Sequence, residues 1–261
     1  MTKALLTIFT VLTALTQAQA AVQSKTIPYE DGGVTLEGYL AWDDAFDGQR
    51  PAVLVVHEWW GLNDYARKRA DMLARLGYVA FALDMYGKGK VTQHPKQAGE
   101  WAGEIRKNVR NWQRRAELGL GILRQQERVD GKRIAAIGYC FGGATVLQLA
   151  YSGAGVKGVV SFHGSLPAPE ADQGKNIQAK ILVCHGADDS FVPKAKIEKF
   201  REGLVAAKAD WQFISYGGAR HSFTNPDADK AGIDGLRYNE SADKRSWSHM
   251  RGFLQELFGT E

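Results

Sequence analysis

The chemistry-bearing text of this chain centres on Gly138-Tyr139-Cys140-Phe141-Gly142-Gly143. A cysteine framed by glycines two residues to either side, with the apolar run Arg133-Ile134-Ala135-Ala136-Ile137 before it and the helical spacing of 142–151 after it, fits a nucleophile on a sharp strand-to-helix turn. The flanking residues must be tiny so that strand and helix can approach. The next backbone N–H, from Phe141, then lies at a helix N-terminus and is half of an oxyanion hole. The helix dipole there favours thiolate over thiol. A glycine-rich turn that merely packs a helix on a strand would carry similar text, so the reading depends on partners.

A nucleophile needs a base and a group to orient that base. Downstream, His185-Gly186-Ala187-Asp188-Asp189-Ser190-Phe191-Val192-Pro193 follows a strand-like run and offers two acids, Asp188 and Asp189. Gly217-Gly218-Ala219-Arg220-His221-Ser222-Phe223 follows a later one and offers His221 as base. Nucleophile, acid and histidine thus occur in the order that one large fold of α/β hydrolases requires. Upstream, Val56-His57-Glu58-Trp59-Trp60-Gly61 supplies a candidate second oxyanion donor, the Trp59 N–H, and a carboxylate, Glu58, set among aromatic residues. Glu58 reads either as a surface loop acid or as a partner for the Cys140 thiol. The histidines occur singly, without the close pairs that metal sites use, so no metal and no cofactor is expected.

The elements that would position these groups are legible as an alternation. Residues 24–42 read as a β-hairpin about Asp31-Gly32-Gly33. The continuous apolar run at 52–56 reads as a strand, and 78–83, 133–137, 156–162, 181–184 and 211–215 read as further strands. Helical spacing covers 63–76, about 95–128 with a break, 142–151, 193–207 and 242–257, and 225–243 reads as a long loop with short helical pieces. Uninterrupted apolar strands alternating with helices predict a mostly parallel sheet covered on both faces. Sites in such sheets lie at the carboxyl ends of the strands. Glu58, Asp84, Cys140, His163, His185, Asp189 and His221 all follow strand-like runs.

Composition bounds the rest. The 261 residues suffice for one well-buried domain; 44% are hydrophobic, 24% are charged and the net charge is +4. The cluster Arg106, Lys107, Arg110, Arg114 and Arg115 falls in a helical pattern mixed with Trp112 and Glu117, which reads as a solvated helix face rather than a nucleic-acid patch. Met1-Thr2-Lys3, the apolar run 4–16 and Ala18-Gln19-Ala20 have the outline of a secretory signal peptide. The expectation is therefore a signal peptide over 1–20, a domain over 21–261, export to the periplasm, no membrane association after cleavage, and a monomer. Of the two cysteines, Cys184 lies in a buried-strand pattern, which argues against a disulfide with Cys140.

These residues resemble the dienelactone hydrolase family, over about 27–258. The elbow at 138–143, Asp189-Ser190-Phe191-Val192-Pro193, His221-Ser222-Phe223 and Val56-His57-Glu58-Trp59-Trp60-Gly61-Leu62-Asn63 carry the resemblance. It implies an α/β-hydrolase fold, a Cys140–His221–Asp189 triad, Asp189 rather than Asp188 as acid, and a Glu58 that holds the resting thiol. It also implies hydrolysis of a small-molecule ester or lactone through a thioester, with the oxyanion on the Phe141 and Trp59 N–H groups. Asn225 stands where well-known members place a substrate-gripping arginine after the histidine, and Trp60, His163 and Asn225 are the candidate substrate contacts. A thioesterase or peptidase-like activity on the same fold, and a redox-sensing role for Cys140, are the rival readings.

Overall fold

The computed structural model describes residues 21–259; the signal-peptide expectation for 1–20 lies outside them. The described residues open with an antiparallel hairpin, β1 (Val22–Asp31) and β2 (Val34–Asp43), paired from Val22↔Asp43 to Asp31↔Val34. There follow β3 (Arg50–Val56), α1 (Asp64–Ala74), β4 (Val79–Leu83), α2 (Pro95–Arg106), α3 (Val109–Arg124), β5 (Val129–Tyr139), α4 (Phe141–Tyr151) and β6 (Gly158–Phe162). The chain ends with the short α5 (Ala171–Gly174), β7 (Lys180–Gly186), α6 (Lys194–Ala206), β8 (Trp211–Tyr216), a single 3-10 turn at Ala228–Ala231 and α7 (Glu240–Phe258).

One eight-stranded sheet runs in the order β1-β2-β4-β3-β5-β6-β7-β8. The hairpin joins it antiparallel through β2 and β4, and every pairing from β4 to β8 is parallel. The period-2 alternation of strands divides the core in two. Ala52, Leu54, Val56, Phe81, Leu83, Ile134 and Ala136 point to the face covered by α3, α4 and α6. Val53, Val55, Ala80, Ala82, Ala135 and Ile137 point to the face covered by α1 and α7. At about 1.5–3 kcal/mol per fully buried Val, Leu, Ile or Phe side chain, both faces of these continuous runs contribute, which is why the strands tolerate no polar alternation.

The helices begin where local chemistry allows. Asn63 accepts the Ala66 N–H, Asn108 the Asn111 N–H and Asn239 the Ala242 N–H, capping α1, α3 and α7. The break expected within 95–128 is at Asn108. The basic cluster of this region is not uniformly solvated: Arg114 and Arg115 both pair with the buried Asp31, tying α3 to the hairpin.

The chain order fixes where a crevice must form. From β3 the path crosses to β4 on one side, then returns to β5 on the other. The loops leaving β3 and β5 therefore diverge, and the carboxyl ends of these two neighbours flank the topological switch point. Glu58 follows β3, and Cys140 follows β5.

Candidate active site

Cys140 occupies the single position between β5 and α4, with φ 54° and ψ −110°. A non-glycine residue at positive φ is strained, and this strain is held by packing on all sides. A methyl group at Gly138 would stand 2.0 Å from the Gly142 carbonyl oxygen, and one at Gly142 would stand 2.2 Å from the Val56 carbonyl oxygen. The glycines are thus required by backbone-to-backbone approach of β5, α4 and β3. The Cys140 N–H donates to the Phe162 carbonyl at 3.0 Å and faces His163 Nδ1 at 3.1 Å, which fixes the turn from β6. The Cys140 side chain remains partly exposed, and Phe141, the first residue of α4, has an N–H with no acceptor inside the helix.

His221 lies beyond β8, in a segment bridged to Leu236. Its Nδ1 is 2.7 Å from Asp189 Oδ2, while Asp189 Oδ1 accepts the Phe191 N–H at 2.9 Å. Asp189 is buried and Asp188 is exposed. Burial alone would lower the pKa of His221. The thiolate charge and hydrogen bond of Cys140 and the hydrogen bond and charge of Asp189 outweigh it, and the imidazole is raised to about 10. An imidazolium on His221 is the protonation state this arrangement favours. The His163 and Phe191 rings flank His221 with centroids at 5.4 and 5.2 Å.

Glu58 is fully buried beside this group. Its Oε1 accepts Ser222 Oγ–H at 2.7 Å and its Oε2 accepts Asn225 Nδ2–H at 2.6 Å. Burial holds its pKa above the usual carboxylate range, and the two hydrogen bonds and the charges of His221 and Arg69 offset that only in part. Both oxygens are therefore taken by the loop after β8, and the side chain that Cys140 faces is His221. The thiol-parking position expected for Glu58 is not the one seen. The loop carrying Glu58 and Trp59 is fixed by His57, whose Nε2 accepts the Met85 N–H at 3.2 Å and whose Nδ1 therefore carries the proton donated to the Glu58 carbonyl.

His163 is a correction. Sequence reasoning placed it among substrate contacts because it follows a strand, yet it is fully buried and both ring nitrogens are engaged. Nδ1 faces the Cys140 N–H, and Nε2 is 2.7 Å from Thr224 Oγ1. Burial first, then the positive charges of His221 and Arg69, hold it well below the usual histidine range, so it stays neutral. It is a backbone acceptor for the elbow. Asn225 likewise spends its amide on Glu58. Trp60, Asn225 and Ser222 do line a cavity of about 510 Å³ together with Leu62, Tyr65 and Leu236, and the triad residues are not among its walls.

Three positioning groups were not foreseen. Ser222 is adjacent to the histidine and carries no periodic signal. Arg69 is buried in α1, bonded to the Thr224 carbonyl and to Asp243 at 2.6 Å each, and it looks like any polar helix residue in sequence. The role of His57 could have been suspected only from its place directly before Glu58.

Comparison with known proteins gives a matching result. Residues 36–258 match the dienelactone hydrolase family. The chain belongs to that family. A protein of Yersinia pestis named as a carboxymethylenebutenolidase is 28% identical over 207 residues, covering 76% of this chain and 77% of its own length. An uncharacterised Caenorhabditis elegans protein is 37% identical over 146 residues, 55% of this chain and 92% of that protein. Among solved structures, a dienelactone hydrolase-like promiscuous phosphotriesterase from metagenomic libraries superposes with a TM-score of 0.89 at 41% identity, covering 92% of this chain and all of that one. A dienelactone hydrolase structure from Klebsiella pneumoniae, at 22% identity and a TM-score of 0.77, shares the α/β-hydrolase fold.

Proposed function

We propose that this family member hydrolyses carboxylic esters or lactones through a thioester on Cys140. The observation that carries the reading is the placement of His221, which is bonded through Nδ1 to Asp189 Oδ2 and has Cys140, on the strained turn after β5, as its electrostatic partner. In the first step the thiolate of Cys140 forms a bond to the acyl carbon, and the carbonyl π pair moves onto oxygen. The Phe141 and Trp59 N–H groups are the donors for that oxyanion. Collapse expels the alkoxide, which takes the proton held on His221 Nε2. Water then attacks the thioester, His221 accepts its proton, and the thiolate leaves. Asp189 fixes the tautomer and stabilises the imidazolium throughout.

Glu58 supports the chemistry by position. Held on Ser222 and Asn225, it leaves Cys140 to His221. Trp59 and Trp60, whose rings meet at 4.7 Å, form an apolar wall suited to an acyl or ring group. Export through an N-terminal signal peptide is part of the same proposal and is tested by N-terminal sequencing of the mature protein.

Intact-mass measurement after mixing with an activated ester tests the reaction. An acyl adduct on Cys140 that forms and then turns over supports it. A sulfenic or mixed-disulfide adduct without acylation would instead support a redox role. A second reading, transfer of a phosphoryl group from a phosphotriester to the same thiolate, is favoured by the 41% identical phosphotriesterase; a phosphoryl adduct in the same experiment would reveal it.

A further inference from the structure

The loop leaving β4 carries a hydroxyl that the reaction above does not use. Tyr86 is 4% exposed, and its phenolic oxygen is buried without a hydrogen-bond partner. Its place is rigidly set. Asp84 Oδ1 accepts the Tyr86 and Gly87 N–H groups at 2.8 and 3.0 Å, and the intervening Met85 N–H is held by His57. The ring packs against His57, Phe141 and Trp101, with centroids at 4.9, 5.4 and 5.7 Å.

Two of those neighbours matter. His57 anchors the carbonyl of Glu58, one residue before the Trp59 N–H, and Phe141 carries the other oxyanion donor. The Tyr86 ring thus spans the two loops between which the oxyanion is to form. Neither nitrogen of His57 can serve the hydroxyl, since one accepts from Met85 and the other donates to Glu58. Burial raises the phenol above its usual range, and the charge of Cys140 raises it further against the opposing charge of Arg106, so the proton stays on. Tyr139, also buried with an unpartnered hydroxyl, feels Arg69, Asp243 and Cys184 instead. A buried donor left unpaired is costly unless another state of the protein pairs it.

We propose that Tyr86 is a further catalytic residue, donating its phenolic O–H to the oxyanion that forms when Cys140 attacks. This rests on the acyl-transfer reading. The donor is neutral and stays protonated across the working range, so it can strengthen as charge develops on oxygen without giving up its proton.

Tyr86→Phe keeps the ring and removes only the donor, and two reactions of the same thiol separate the possibilities. Acylation by 4-nitrophenyl acetate builds an oxyanion; alkylation by iodoacetamide does not. The single-turnover acylation rate of Tyr86→Phe should fall by about 100-fold, the scale of one lost oxyanion donor, while the alkylation rate and Tm are unchanged. An unchanged acylation rate overturns the proposal. So does an equal fall in both rates, which would place the hydroxyl on the thiolate rather than on substrate. A drop in Tm would show that the hydroxyl has a structural partner, and would overturn it also. Wild-type protein that is alkylated but never acylated would sink the hydrolase reading itself, and Tyr86 with it.

Discussion

The amide of Asn225 donates to Glu58 Oε2 at 2.6 Å, and the neighbouring Ser222 hydroxyl donates to Oε1 at 2.7 Å. A buried carboxylate facing two donors is matched to them in the charged form. Glu58→Gln replaces one acceptor with an NH2 group, so with the amide oxygen kept on Asn225 the Ser222 hydroxyl must turn from donor to acceptor and its own O–H loses its buried partner. The expected loss of stability is about 1–3 kcal/mol, the cost of an unsatisfied buried polar group. Chemical denaturation of the variant measures it; a Glu58→Gln protein as stable as wild type would show that the carboxylate charge is not what the clamp holds.

The two adjacent acids differ only in where their side chains point. Asp189 is buried on His221, and Asp188 is exposed. Asp189→Asn keeps the shape but disturbs the tautomer of His221, so kcat should fall by at least about 100-fold. Asp188→Asn should leave it near wild type. Equal losses in the two variants, measured on one activated ester, would move the orienting role away from Asp189.

How much of this was legible beforehand depended on whether the signal was local. The strands from β3 to β7 could be read because burial on both faces demands an apolar run, and the elbow because its glycines stand at fixed spacing from the cysteine, even though the contact that requires Gly142 is with the sequence-distant Val56. Phe141 to Tyr151 is buried along its whole length, so its helix was recognisable from glycine placement more than from amphipathic spacing. The role of His163 was misread because its partners, Cys140 and Thr224, lie 23 and 61 residues away, and a histidine after a strand looks the same whether it faces substrate or backbone. The Glu58 clamp was missed for the same reason: its donors are 164 and 167 residues distant.

The close approach at the elbow predicts contrasting effects for two glycines. Gly142→Ala would set a methyl carbon 2.2 Å from the Val56 oxygen and 2.7 Å from the His57 oxygen, both backbone atoms that cannot swing aside. A loss of about 3 kcal/mol is expected, at the upper end of overpacking effects, with activity lost because the loop carrying Glu58 and Trp59 must shift. Gly121, within α3, has nothing within 4 Å of an added methyl. Gly121→Ala should therefore raise stability by about 0.5–1 kcal/mol through helix propensity. Thermal melts of the two variants decide it, and a destabilised Gly121→Ala would contradict the packing described for α3.

His221 gives a pH dependence whose direction follows from its folded pKa of about 10. An unfolded histidine titrates near 6.5. The folded value is the higher one, so the protonated ring stabilises the fold. That contribution is fully present below about pH 6.5, diminishes as pH rises, and is gone once pH passes about 10. Burial opposes this rise, and Cys140 and then Asp189 outweigh it. Cys140→Ala should accordingly bring the His221 titration, followed by NMR of the labelled ring, down toward the ordinary histidine value, while Asp189 alone holds part of the shift. It should also abolish ester hydrolysis while the chain still folds, with stability lowered by the share of the His221 pairing that Cys140 supplies. In the wild type, turnover should fall above about pH 10, where the ring can no longer protonate the leaving alkoxide. A ring that titrates at the same pH with and without the sulfur would mean that the thiolate and imidazolium are not paired, and the acylation step would need a different base.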